Sequence, residues 1–158
     1  MIKTATLCAT IILGTVYASA AQQSFDDWSV FSGNGACWAS TMPHHSESTF
    51  ENRSTPYLSI QNHPSEGVRG SIAVTNGGVD ASQMKAVIDV DGKQFATLTY
   101  AEAAFVGTGK PETNLTAAML RGKEFKVTWT DKDGKSAEDR YSLTGFSAAK
   151  NEIDQNCK

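Results

Sequence analysis

The chain reads as a mainly β protein, a single antiparallel domain with one short internal helix and a C-terminal helix. Three observations carry that expectation. Apolar and polar residues alternate over short stretches bounded by turn formers, the period of half-buried strands. Asp91-Gly92 and Asp133-Gly134 sit between such stretches, where a hairpin needs residues that tolerate positive φ. Only two segments switch to a helical period.

Taken in order, residues 27–32 place Trp28 and Val30 on one face. Residues 36–42 and 57–61 are further strand candidates, and 69–75 put Ile72 and Val74 together. In "AVIDVDGKQFATLTY" Ile88 and Val90 lead into the Asp91-Gly92 turn, and either Phe95 or Leu98 leads out facing the core. "EFKVTWTDKDGKSAEDRYSL" sets Phe125, Val127 and Trp129 on one face of a strand and Tyr141 and Leu143 on its returning arm. "PETNLTAAMLRGK" opens with Pro111 and capping-type residues, runs through Ala117, Ala118, Met119 and Leu120, and stops at Gly122 as a C′ glycine. Residues 147–155 carry Ala148, Ala149 and Ile153 on a helical repeat, whereas 42–55 is polar without a period and reads as a loop.

The first 20 residues form a secretory signal peptide. Lys3 supplies the positive start, residues 5–16 are mostly apolar without charge, and Ala18-Ser19-Ala20 is the small-x-small pattern of a cleavage site. The apolar run is shorter than the roughly 20 residues of a membrane-spanning helix. The destination is therefore periplasmic or secreted, and Cys8 leaves with the leader. Residues 21–158 are expected to form one domain, long enough to bury about two thirds of the unfolded surface. Without Lys3, 13 basic residues face 17 acidic ones, interspersed, a balance that favours neither nucleic acid nor an anionic membrane as partner.

Two cysteines remain, Cys37 and Cys157. In an oxidising compartment they pair, closing a loop worth at most roughly 5 kcal/mol of chain entropy. The competing role, thiolate metal ligand or reactive cysteine, lacks any C-x-x-C spacing.

Other fragments mimic chemical motifs. "GTGKPET" lacks the first glycine and the Ser or Thr of a phosphate loop and reads as a turn before a helix. "DVDG" and "DKDG" resemble calcium loops, but aligning Gly134 with the central glycine puts Trp129 and Arg140 at ligand positions, so they are hairpin turns. His44, His45 and His63 with Glu47 have the donor types of a transition-metal site. Adjacent side chains of an extended chain diverge, however, which keeps His44 and His45 from one ion unless the loop bends. No G-x-S-x-G elbow is present.

"FDDWSVFSGNGACWASTMP" and "YSLTGFSAAKNEIDQNC", with the closing L-x-G-F-x-A-A, resemble the invasion-associated locus B family. The likeness runs in order along residues 21–158 through strand-like stretches, the Arg69-Gly70 step and the helix at 117–122. It is similar to the shorter periplasmic or secreted branch, whose members begin with Trp, Cys-Trp and Pro and end in a terminal cysteine. The resemblance implies a small exported β-sandwich-like domain of the bacterial cell envelope with no assigned catalytic residues. Cys37, Cys157, Trp28, Trp38, Gly145 and Phe146 then read as scaffold, Trp38 packing beside the disulfide and Gly145 turning strand into helix.

The expected function is a non-enzymatic module, without cofactor, that binds a protein or envelope component. A sheet edge would accept a partner strand and the loop at 42–55 would carry specificity. The alternative is a periplasmic metal-binding protein using His44, His45, Glu47 and His63. A third class, hydrolysis in a polar cleft, requires perturbed acids or a Ser-His pair in a pocket.

Overall fold

The computed structural model describes residues 21–158; the expected leader, with Cys8, lies outside the described residues. In chain order the elements are β1 (Ala21–Phe25), β2 (Trp28–Gly33), β3 (Ala36–Thr41), β4 (His45–Ser48), β5 (Leu58–His63), β6 (Val68–Thr75), β7 (Lys85–Val90), β8 (Lys93–Ala96), β9 (Leu98–Tyr100) and β10 (Ala103–Phe105). Then follow α1 (Lys110–Met119), β11 (Glu124–Thr130), β12 (Ser136–Ser142) and α2 (Phe146–Asn156). The strands make a seven-stranded sheet, β1-β2-β3-β5-β6-β10-β9, and a five-stranded sheet, β4-β12-β11-β7-β8. Every pairing is antiparallel. The expected β-sandwich-like single domain is what forms.

Alternation assigns the inner faces. Trp28 and Val30 of β2, Cys37 and Ala39 of β3, Leu58 and Ile60 of β5, and Ile72 and Val74 of β6 are buried in one core with Ile88, Phe125, Val127, Trp129 and Tyr141 of the other sheet. Burying each large side chain contributes roughly 1.5–3 kcal/mol. The helix α2 adds Phe146, Ala149 and Ile153 to the same core. Phe146 lies 5.0 Å from Trp28 between ring centroids, and the Trp28 indole N–H donates to the Ser142 carbonyl at 3.1 Å.

The tail is held covalently and by polar contacts. Cys37 and Cys157 are disulfide-bonded with Cα atoms 5.8 Å apart, the pairing expected from the sequence. Beside them Asn62, fully buried, donates to the Ile153 carbonyl at 3.3 Å and to Asp154 at 3.0 Å, and accepts from the Gly70 amide at 2.7 Å. Arg69 donates to the Cys157 carbonyl at 3.2 Å. Burial works to raise the Asp154 pKa, but the bonds from Lys150 and Asn62 outweigh it and hold the carboxyl below its ordinary value.

Several expectations are corrected. The segment 42–55 is not all loop: β4 pairs with β12 from Ser48↔Ala137 to His45↔Arg140. All four of its residues are exposed, so it is an edge strand without an apolar face and shows no period. The strands β1 and β10 are likewise additional, and the arm expected after Asp91-Gly92 is split into β8 and β9. Around Thr97 the chain leaves β8 in one sheet for β9 in the other, with the Thr97 hydroxyl donating to the Ala86 carbonyl at 2.6 Å. The core-facing residue after the Asp91-Gly92 turn is therefore Phe95, opposite Ile88, while Leu98 is exposed beyond the switch.

Asp91 and Gly92 both take positive φ, as do Asn34 and Gly35 in the β2–β3 turn, but at Asp133-Gly134 only Gly134 does. There the Asp131 carboxylate accepts from the amides of Asp133 and Lys135 and shapes a longer turn. Helix α1 starts from Gly109 without a side-chain cap. Gly122 is no left-handed C′ residue; it is required because a Cβ would press on Val90 and the Ala118 carbonyl.

Gly145 combines φ of +89° with close approach, since a Cβ would run into the Phe25 carbonyl, whereas Gly134 at +82° has open space. In urea unfolding Gly145→Ala is expected to lose about 3 kcal/mol and Gly134→Ala about 1 kcal/mol; equal losses would refute the close-packed turn. Cys157→Ser is expected to lower unfolding free energy by about 2–5 kcal/mol, and Cys37 and Cys157 of the native wild-type protein are expected to stay unmodified on alkylation, read by mass spectrometry.

Candidate functional site

Alternation that buries one face of the seven-stranded sheet exposes the other. On β2 the outward residues are Ser29 and Phe31, on β3 Trp38 and Ser40, and on β5 Ser59 and Gln61. Register aligns them into two rows. One runs Gln22–Phe31–Trp38–Gln61 and the other Ser24–Ser29–Ser40–Ser59. The Phe31 and Trp38 rings stack, centroids 5.6 Å apart and planes within 16°, a geometry that stabilises by about 0.5–1.5 kcal/mol beyond burial.

These residues, Ser24 excepted, floor a groove of about 950 Å³. Met42, His44 and Tyr57 stand at one end and His63 also lines it. Met42 and Tyr57 are exposed large side chains. Among the described residues lining the groove, Asp27 is the one carboxylate and none is Lys or Arg. Trp38 was expected to be scaffold packed beside the disulfide. It is instead half-buried on the face opposite Cys37, because neighbours on a strand point to opposite sides.

A buried ion pair anchors the 42–55 segment beside the groove. Arg53 and Asp139 are almost fully shielded and bonded, with Arg53 Nη1 donating to Asp139 Oδ1 at 2.9 Å. Ser46 Oγ donates to the same carboxylate at 2.7 Å and the Trp129 indole at 3.3 Å, while Arg53 Nε donates to Asn76 Oδ1 at 3.0 Å. The carboxylate is thus satisfied from β11 and, twice over, from the 42–55 segment. Burial, reinforced by the nearby Asp139 charge, pushes the Tyr141 phenol far above its ordinary pKa. With β4 anchored, the His44 amide donates to the Arg140 carbonyl at 2.9 Å and its Nε2 meets Glu124 at 3.3 Å.

The four residues of the metal expectation divide. His44 and His63 line the groove, but His45 pairs with Glu47 at 3.2 Å on the solvent side of β4. Among the described residues no group of three or more His, Cys, Asp or Glu is placed to hold a metal ion. Neither is a described helix long and apolar enough to cross a membrane. A second hollow, about 570 Å³, lies between α1 and α2 and contains Arg69, Glu112, Lys150 and Asp154. There burial raises the Glu112 pKa against a lowering bond from the Ile72 backbone.

No family model, curated protein or solved structure matches this chain. The groove residues themselves were partly findable: Phe31 alternates with Val30, and Trp38 with Cys37, so two outward aromatics on adjacent strands follow once the cysteine is known to face in.

The three tryptophans should separate by role. Trp28 and Trp129 are fully buried and Trp38 is not. Trp28→Ala is expected to cost about 3–5 kcal/mol in chemical denaturation, and Trp38→Ala about 1 kcal/mol or less. A Trp38→Ala loss as large as that of Trp28→Ala would make Trp38 a core residue after all.

Proposed function

We propose that this chain is a non-enzymatic exported cell-envelope protein, of the invasion-associated locus B type, that works as a binding module through the outer face of its seven-stranded sheet. The observation that carries this is the stacked Phe31–Trp38 pair held partly exposed in a groove. Aromatic side chains left at a surface give up the stabilisation of full burial, and they are enriched where proteins bind others because they offer large contact area with few rotatable bonds. The surrounding Ser, Gln and His side chains supply the few convergent polar groups that orient a ligand. Export is supported by the leader pattern at 1–20 and by the Cys37–Cys157 disulfide, which persists in oxidising compartments.

The face differs from the strand-addition mode expected from the sheet edges, since its backbone groups are already paired within the sheet. Recognition here falls to side chains. A photoreactive amino acid in place of Phe31, introduced in cells, is expected to crosslink an envelope component that the same group in place of Thr128, on the five-stranded sheet, does not capture. Equal capture from both positions, or none from Phe31, would refute the groove as the binding surface.

A further inference from the structure

Resting on that reading, we propose that the groove binds an uncharged oligosaccharide whose pyranose rings pack against the Phe31–Trp38 pair. Three features of the groove select this chemistry over the other envelope ligands.

Charge comes first. Among the described lining residues there is no Lys or Arg, and Asp27 contributes one carboxylate. A phosphorylated or otherwise anionic ligand would find no Lys or Arg here to pair with and would meet the like charge of Asp27. Polarity comes next. A lipid chain or apolar peptide laid on this floor would cover Gln22, Ser40 and Gln61 and leave their hydroxyl and amide groups unsatisfied, at about 1–3 kcal/mol for each one fully buried. A sugar ring instead offers a flat C–H face to the aromatic pair and hydroxyls around its rim to the amides and serines.

Shape is the third feature. The row from Gln22 through Phe31 and Trp38 to Gln61 crosses three interstrand steps, roughly 14 Å, with the aromatic pair in the middle and an amide at either end. That is the length of a short oligosaccharide rather than one ring, and the groove volume of about 950 Å³ lies at the upper end of the roughly 300–1,000 Å³ of small-ligand sites. His44 and Tyr57 at the end of the groove add further hydrogen-bonding groups.

The test uses the purified protein with its disulfide intact, titrated with chitohexaose, cellohexaose and a sulfated oligosaccharide of similar length. Trp38 is the one tryptophan of three that is not fully buried, so binding is expected to give a saturable change in tryptophan emission. Calorimetry is expected to show Trp38→Ala weakening affinity about tenfold, with Gln61→Ala weaker by a smaller factor and both variants unfolding cooperatively. A preference for chitohexaose would point to an N-acetylated wall glycan and a preference for cellohexaose to a plain hexose polymer, and either supports the inference. No saturable binding of either neutral sugar, or equal binding of the sulfated one, overturns it. If the neutral sugars fail but a crosslinker at Phe31 captures one defined protein, the binding-module reading stands and the glycan falls. Failure of both removes the two together.

Discussion

The covalent tie between Cys37 and Cys157 decides which way the seven-stranded sheet faces. Its second sulfur comes from the end of α2, which packs on the core side, so Cys37 must point inward. Trp38, the next residue on the same extended strand, must then point outward. The cross-strand register carries the consequence sideways, setting Phe31 on one side of Trp38 and Gln61 on the other. One bond inside the core thereby fixes the composition of a surface on the far side of the sheet.

Asn62 and Arg69 hold the same tail without sulfur. A fully buried amide with three partners is costly to leave unmade, and its partners come from α2 and from the Gly70 amide where β6 departs from regular pairing with β5. The disulfide restricts the unfolded chain, whereas Asn62 acts only on the folded one. The two constraints therefore add at one place by different routes.

The Arg53–Asp139 pair contributes more to position than to net stability. Buried ion pairs roughly break even against apolar replacements, but removing one partner strands a charge. The geometry matters more: Arg53 reaches from the 42–55 segment into the core and Ser46 joins it at Asp139. A strand with no apolar residue is held against the five-stranded sheet, and Met42 and His44 are carried to the groove.

Much of the fold was legible because local rules and burial agree. Alternation in β2, β6, β11 and β12, Asp91-Gly92, the helical tail and the pair Cys37 and Cys157 each point one way, and the antiparallel β class follows from them. What was illegible has identifiable physical causes. The strand β4 is polar on every side and exists through backbone pairing and a buried ion pair distant in sequence; β9 and β10 are too short for a period. Whether Phe95 or Leu98 faces the core depends on the sheet switch at Thr97. Sequence alone determined the residue types on each strand and the chemistry they bring, because alternation and turn chemistry act between near neighbours. Only the tertiary structure decided that Phe31, Trp38, Ser59 and Gln61 share one open face, because register between strands and the covering of a sheet on one side are set by contacts between residues far apart in the chain.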